Sequence, residues 1–214
     1  IPLDYSYFVE KENVSLLPAA PNILDKPIIK SNAPHKNWQP WISVIKPSDE
    51  SNEYKLFFNA LNDISDPSRQ SVIAYETSAD LRTWSKDGKT TSLDKINFGA
   101  RVFQIQDEEN SRKYKYGILY FLKPEASPVG KGGIYLAFSN NLTSWKIASE
   151  NPIFPSNIND IVDIYWNEEQ QEYTAFLKQL QKYKWKNKQN QSLNQTIRLV
   201  ATSTSNNLLK WTKI

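Results

Sequence analysis

The heptad Ser-x-(Asp/Asn)-Leu-x-x-Trp occurs three times in this chain of 214 residues. The copies are SADLRTW (78–84), SNNLTSW (139–145) and SNNLLKW (205–211), and they begin 61 and 66 residues apart. A motif that returns at such intervals indicates repeated supersecondary units, each of which needs its neighbours to bury an apolar face. This repeat constrains the fold more strongly than the composition does.

A second element, a Tyr that follows a charged residue and opens a strand-like run, precedes each heptad. The three tyrosines are Tyr54, Tyr114 and Tyr173, and each follows an acidic turn and an earlier β-rich run at 41–45, 100–105 or 161–166. Each unit is therefore predicted to contain, in order, a strand, a hairpin turn, a second strand, a loop, a third strand, a short turn and a strand that carries the Trp. Short antiparallel strands repeated in this way are typical of β-propeller blades. No window has a 3.6-residue apolar period, so we expect few helices.

The heptad itself is interpreted as structural. Its Ser ends the third strand of a unit, and its Asx residue lies in the following turn, where such side chains bond their own backbone. The Leu and Trp are expected to pack between adjacent blades. The residues concerned are Asp80, Asn141 and Asn207, then Leu81, Leu142 and Leu208, and finally Trp84, Trp145 and Trp211.

Composition excludes several classes of function. The 26 Lys and Arg are balanced by 23 Asp and Glu, and a net charge of +3 predicts neither nucleic acid nor a membrane surface as partner. The chain has no Cys, which excludes disulfides and thiol catalysis, and His35 is its one histidine, which precludes a His-based metal cluster. No stretch approaches the roughly 18 apolar residues of a membrane span. We therefore predict no metal site and no organic cofactor.

The repeat also predicts the domain organisation. Residues 1–40 are interpreted as an N-terminal extension that supplies a closing strand, and residues 41–214 as a partial propeller. Its blades are placed at about 41–99, 100–158 and 159–214. Because a closed propeller needs at least about four blades, we expect the natural protein to be longer.

A hairpin that reads S-x-D-L-x-x-W blade after blade resembles the five-bladed β-propeller glycoside hydrolases. Family 43 is the closest in pattern, with the fructosidase families 32 and 68 as relatives, and the resemblance covers roughly residues 38–214. It implies an all-β fold and hydrolysis of a poly- or oligosaccharide bound in the central funnel. It also implies an extracellular or periplasmic location, and a Ca²⁺ ion in the channel is a possibility in the family.

The resemblance also implies roles for acidic residues. NINDIVDIYWNEEQQEY (157–173) matches the third element of the family pattern and places Asp160 at the carboxylate that orients and tunes the catalytic acid. That acid, a Glu, is expected outside this chain. WQPWISVI (38–45) departs from the pattern, because Gln39 stands where the family has its catalytic base. An amide can hydrogen-bond a sugar hydroxyl but cannot deprotonate water, so Gln39 is a candidate substrate-binding residue. Either another residue is the base, with Asp4 and Glu10 as candidates, or the register differs, or the propeller no longer hydrolyses its ligand.

Four further residues are candidate substrate-binding positions. Arg101 has a fork of donors suited to sugar hydroxyls, carboxylate or sulfate, although a structural ion pair is an equal alternative. Trp38 and Trp41, on either side of Gln39, are candidates to stack on a sugar ring or to pack in the core. Asp163 lies close to Asp160 and either contacts sugar or faces a neighbouring blade. The alternative function is a non-catalytic carbohydrate-binding or protein-interaction propeller.

The segment KYKWKNKQNQ (182–191) alternates Lys with Tyr and Trp. This pattern occurs in proteins that bind single-stranded nucleic acid. Its position between two strands of one unit favours an extended, solvated hairpin loop instead.

Overall fold

A computed structural model describes residues 37–38, 42–47, 51–61, 70–86, 88–97, 99–186 and 192–214. The first sheet contains β1 (Asn37–Trp38), β2 (Ser43–Ile45), β3 (Tyr54–Leu61), β4 (Ser71–Ser78) and β5 (Lys89–Thr90). The second contains β6 (Ala100–Gln104), β7 (Tyr116–Leu122), β8 (Gly133–Ser139), β9 (Lys146–Ile147) and β10 (Phe154–Pro155). The third contains β11 (Ile158–Asn167), β12 (Glu172–Lys186) and β13 (Ser192–Ser205).

The main strands of each sheet form an antiparallel meander in sequence order, β2-β3-β4-β5, β6-β7-β8-β9 and β11-β12-β13, and β10 also pairs with β8. Within the described ranges the helical elements are α1 (Glu108–Ser111) and a single 3-10 turn at Pro124–Ala126. The prediction of an all-β fold of antiparallel units with few helices is therefore confirmed. The proposed domain limits stay predictions; β1, which precedes residue 40, pairs with β3 of the first sheet.

Two apolar layers of the core lie one on each side of the second sheet, and a third, smaller cluster lies on the first sheet. Tyr135 and Ala137 of β8 pack towards the first sheet, whereas Ile134 and Leu136 pack towards the third. Successive residues of a strand point to opposite faces, so a strand covered on both sides reads as a continuous apolar run. This explains the sequence GIYLAFS of β8, every residue of which is buried.

The three heptads form the same turn. In each copy the Ser Oγ accepts the N–H of the Asx residue, and the Asx Oδ1 accepts the backbone N–H groups two and three residues further on. The backbone N–H groups of Thr83 and Arg82, which donate to the Asp80 carboxylate, hold its pKa below the ordinary value. Ser78, Ser139 and Ser205 are the last residues of their strands, as predicted. The interpretation of the heptad as a local hairpin turn is confirmed.

The packing predicted for the heptad leucines holds in two copies and is wrong in one. Leu142 and Leu208 are buried in the two layers that flank the second sheet, whereas Leu81 is 41% exposed. The heptad Leu packs towards the preceding sheet. In the described part of the chain no sheet precedes the first, so Leu81 has nothing to pack on.

The Trp residues lie outside the strands in which the sequence predicted them. β5 and β9 are two-residue strands that follow Trp84 and Trp145, and the third sheet has no fourth strand in its described residues. Trp84 is buried against the first sheet, Trp145 packs on the layer between the first and second sheets, and Trp211 contacts Phe154 with ring centroids 5.0 Å apart. Their interpretation as packed residues therefore stands.

A buried polar cluster joins the second sheet to the third. The Tyr173 hydroxyl donates to Asp107 Oδ2 at 2.9 Å and accepts the N–H groups of Gln106 and Asp107 at 2.7 and 3.0 Å. Asp107 also caps α1, accepting the Asn110 N–H at 2.9 Å, and Asn110 Nδ2 donates to the Asn207 carbonyl at 2.9 Å. Burial raises the pKa of Tyr173 above its ordinary value, so the phenol stays neutral and can donate.

The part of the predicted hairpin loop that the structure describes, residues 182–186, is strand. β12 and β13 stay paired from Tyr173–Ser205 to Lys186–Ser192, whereas β11 pairs with β12 no further than Ile158–Gln179. Residues 180–186 and 192–198 therefore form a two-stranded ribbon that extends beyond the third sheet. Its strand side chains from 181 to 186 are exposed, which agrees with the predicted solvation.

Candidate functional site

One strand from each of the three sheets lies beside that of the next sheet. β6 contacts β2 on one side and β11 on the other. The Val102 N–H donates to Ser43 Oγ at 2.9 Å, and this Ser is buried between the first two sheets. The predicted site residues that the structure describes all belong to this row of strands or to β1.

Arg101 connects all three sheets. It is the second residue of β6, and its Nη1 donates to the Ile42 carbonyl, just before β2, at 3.1 Å. Its Nε lies 2.8 Å from Asp163 Oδ1 of β11. The Nε–H makes no well-aligned hydrogen bond, so this second contact is an ion pair by distance alone. A guanidinium held from two sides has a fixed orientation.

Asp163 is more exposed than its partner. The relative exposures of the two side chains are 60% for Asp163 and 35% for Arg101. Asp163 Oδ1 also accepts the N–H of Ile164 at 2.9 Å. The contact of Asp163 with Arg101, a residue of the second sheet, matches the option in which Asp163 faces a neighbouring blade. A half-exposed pair of this kind adds little stability, but it presents both a donor fork and an acceptor to solvent.

Asp160 lies near the start of β11, where the ladder with β12 is irregular between Ile158 and Val162. Bulges of this kind often lie next to active sites, where they redirect side chains. Of Asp160, and of Trp38 in β1, the structure describes the backbone. Gln39, Trp41, Asp4 and Glu10 lie outside the described residues.

A hollow of about 420 Å³ lies at the ends of β6 and β11 that are opposite to Arg101 and Asp160. Glu108, Glu109 and Arg112 of the α1 region and Trp166 of β11 line it. Sequence analysis identified none of these as functional, and the Glu108–Arg112 ion pair and the hydrogen-bonded Asp107 give them structural roles. Among the described residues no three His, Cys, Asp or Glu side chains converge as metal ligands would.

Sequence comparison provides no relative. No family model matches the chain, and no curated protein matches it. Within the described residues no helix is long and apolar enough to cross a membrane.

Comparison with solved structures does find similar folds. The fructofuranosidase from Schwanniomyces occidentalis, solved with fructose, superposes with a TM-score of 0.58 at 13% identity over 86% of this chain and 37% of its own. The exo-inulinase from Aspergillus awamori gives 0.56 at 16% identity, over 88% of this chain and 39% of its own. The chain has the β-propeller fold of these hydrolases.

A third similar structure is fructan 1-exohydrolase IIa from Cichorium intybus, with a TM-score of 0.51 at 11% identity over 85% of this chain. The chain spans less than two-fifths of the length of each of these three enzymes. The resemblance stated from the heptads is thereby confirmed at the level of the fold. Identities this low do not transfer substrate or catalytic residues.

Proposed function

We propose that the protein to which these three sheets belong is a glycoside hydrolase that binds a poly- or oligosaccharide where the starts of β2, β6 and β11 converge. The observation that carries the proposal is Arg101, which is held from both sides by the neighbouring sheets and is still partly exposed. Its fork and the Asp163 carboxylate suit the hydroxyl groups of a sugar. The fold shared with fructan-cleaving enzymes supports the same class and makes fructans the first substrates to test.

In this proposal Asp160 acts on the catalytic acid. Glycosidases need a proton donor beside the scissile bond and a second carboxylate, which serves as base or nucleophile. A carboxylate near the donor raises the donor's pKa and keeps it protonated until it is needed. Asp160, at the irregular start of β11, is placed in the proposal as this modulating group. Export of the protein, which the class implies, belongs to the same proposal.

One observation favours the alternative, a propeller that binds saccharide without cleaving it. The Arg101 guanidinium lies 2.8 Å from Asp163 and compensates its charge, so Asp163 is a poor candidate for the second catalytic carboxylate. With Gln39 at the position of the expected base, the chain supplies one carboxylate for catalysis. A funnel with this set of groups is suited to hydrogen bonding.

The test measures both turnover and binding. The 214-residue chain and the longest natural chain that contains it are incubated with sucrose, inulin, levan, arabinan, xylan and polygalacturonate, and released sugar and affinity are recorded. For a hydrolase, we expect Asp160→Asn to lower kcat by about 100-fold or more and to leave affinity nearly unchanged. Asp163→Asn is the matched control, a second carboxylate-to-amide change on the same strand.

Saturable binding without turnover would select the non-catalytic alternative. Neither turnover nor binding on any of these glycans would refute the proposal. Equal losses of kcat in the two Asp variants would contradict the separate role given to Asp160.

A further inference from the structure

The end of the chain differs in charge from the rest. Residues 173–214 contain eight Lys and Arg and no Asp or Glu, whereas residues 1–172 contain 18 Lys and Arg against 23 Asp and Glu. The overall charge of +3 hides this contrast. A basic segment attached to an acidic body produces a local positive potential.

The strand pairing collects these charges on one face of the ribbon formed by residues 180–186 and 192–198, which we call the arm. Lys182, Lys184 and Lys186 alternate along β12, and alternate residues of a strand share a face and lie about 7 Å apart. Arg198, which pairs with Leu180, extends the same face. The residues opposite the three lysines are Thr196, Asn194 and Ser192, so this basic face is polar from Lys182 to Lys186.

The same alternation separates the aromatic residues from the cations. Tyr183 and Trp185 are 53% and 43% exposed and lie on the opposite face of the arm. Proteins that bind single-stranded nucleic acid place aromatic rings and cations along one groove, so that bases stack while phosphates pair. The sequence interleaves these residues, but the folded arm does not present them together.

The arm rises beside the proposed saccharide site. β12 runs antiparallel to β11 and pairs with its first residue, Ile158, at Gln179, and the Leu180 N–H donates to the Asn157 carbonyl at 3.1 Å. The arm therefore continues past the end of β11 at which Asp160 lies. A ligand that extends out of the site at this end passes the arm.

We propose that the basic face of the arm binds an acidic polysaccharide, a glycan that carries carboxylate or sulfate groups. This rests on the proposed function, since it names the class of saccharide that the same site receives. Charge complementarity selects a polyanion. The acidic remainder of the chain disfavours a duplex, which is wide enough to extend its charge over that surface, and favours a slender chain that contacts the arm alone.

The experiment measures binding of the 214-residue chain, carrying Asp160→Asn, to polygalacturonate and dextran sulfate by calorimetry. Uncharged dextran is the neutral probe, and a 20-mer of single-stranded DNA and its duplex are the nucleic-acid probes. We expect binding to the two acidic glycans, weakened by added salt, and little to dextran. Lys182→Gln, Lys184→Gln and Lys186→Gln combined should weaken it by about ten-fold or more.

A charge-matched control separates the arm from net charge. The control variant carries Lys86→Gln, Lys113→Gln and Lys146→Gln. It also loses three positive charges, from exposed positions in or beside the first two sheets. This variant should bind acidic glycans nearly as wild type does. Circular dichroism and the thermal midpoint of each variant verify that its fold is intact.

Equal losses in the two triple variants, or equal affinity for dextran and dextran sulfate, would overturn the proposal. Tighter binding of DNA than of either glycan, abolished by the arm substitutions, would replace it with a nucleic-acid site. The outcome is independent of hydrolysis, because every chain in this experiment carries Asp160→Asn. Binding by the arm without turnover in the wild-type protein would refute the hydrolase alone, and turnover without binding by the arm would refute the arm alone.

Discussion

Replacing Tyr173 by Phe tests the connection between the second and third sheets. Tyr173 is 1% exposed, and its ring contacts Phe103 and Trp166 with centroids 6.0 and 4.7 Å apart. The substitution keeps these ring contacts and removes one oxygen atom. That oxygen donates to Asp107 Oδ2 and accepts the N–H groups of Gln106 and Asp107.

The magnitude follows from the groups left behind. A buried polar group that loses its partner costs about 1–3 kcal/mol. Gln106 is exposed, so water can replace the lost acceptor of its N–H at little cost, whereas Asp107 is 3% exposed and loses partners at both its N–H and its carboxylate. We therefore expect Tyr173→Phe to lower the free energy of unfolding by about 2–5 kcal/mol. For a domain whose total stability is about 5–15 kcal/mol this is a large fraction.

The assay is urea unfolding followed by Trp fluorescence, with the free energy obtained by linear extrapolation. Tyr114→Phe is the matched control. Tyr114 stacks on Phe138 at 4.8 Å, and within the described part of the chain its hydroxyl makes no hydrogen bond. This control should change stability by less than about 0.5 kcal/mol, as surface substitutions usually do. Equal effects of the two substitutions would refute the reasoning.

Two further predictions concern the turns and the buried phenols. Leu81 and Leu142 have φ of 61° and 67°, which favours glycine, but Leu81 is 41% exposed and Leu142 is 3% exposed. Urea unfolding should therefore show Leu81→Gly within about 1 kcal/mol of wild type and Leu142→Gly lower by about 3 kcal/mol, and equal losses would contradict this. Burial raises the pKa of Tyr120 and of Tyr173 above the ordinary value of 10.0, so both stay protonated in the folded state at a pH where they ionise in the unfolded state. The contribution of these two phenols to the free energy of unfolding is complete below about pH 10. Above that pH it falls by about 1.4 kcal/mol per pH unit for each Tyr. Unchanged urea midpoints between about pH 9.5 and 11 would contradict this.

The sequence predicted the fold well because the turns are local. Each heptad closes its turn with hydrogen bonds that span two or three residues, so the sequence motif and the structural motif coincide. The strand positions followed from the recurring β-rich runs and from the Tyr at or near the start of each second strand. The Trp-bearing strands were predicted wrongly, because a Trp can fill space beside a sheet without belonging to its ladder.

The site was predicted less completely. Arg101 and Asp163 were each identified, but the contact between them was not, because it joins residues in separate sheets. Asp107 was treated as part of an acidic turn, and no sequence signal indicated that it would meet Tyr173. The roles of Asp160, Trp38, Gln39 and Trp41 stay predictions.

The sequence by itself determined the number of repeated units, their all-β character and the geometry of their turns. These depend on side chains that bond their own neighbourhood and on β-rich runs that recur in each unit. Only the tertiary structure decided which heptad Leu is buried, which carboxylate Arg101 meets and how the interleaved lysines and aromatics divide between two faces. Contacts between sheets and strand register join residues far apart in sequence, and three nearly identical heptads carry no information about which sheet lies beside each of them.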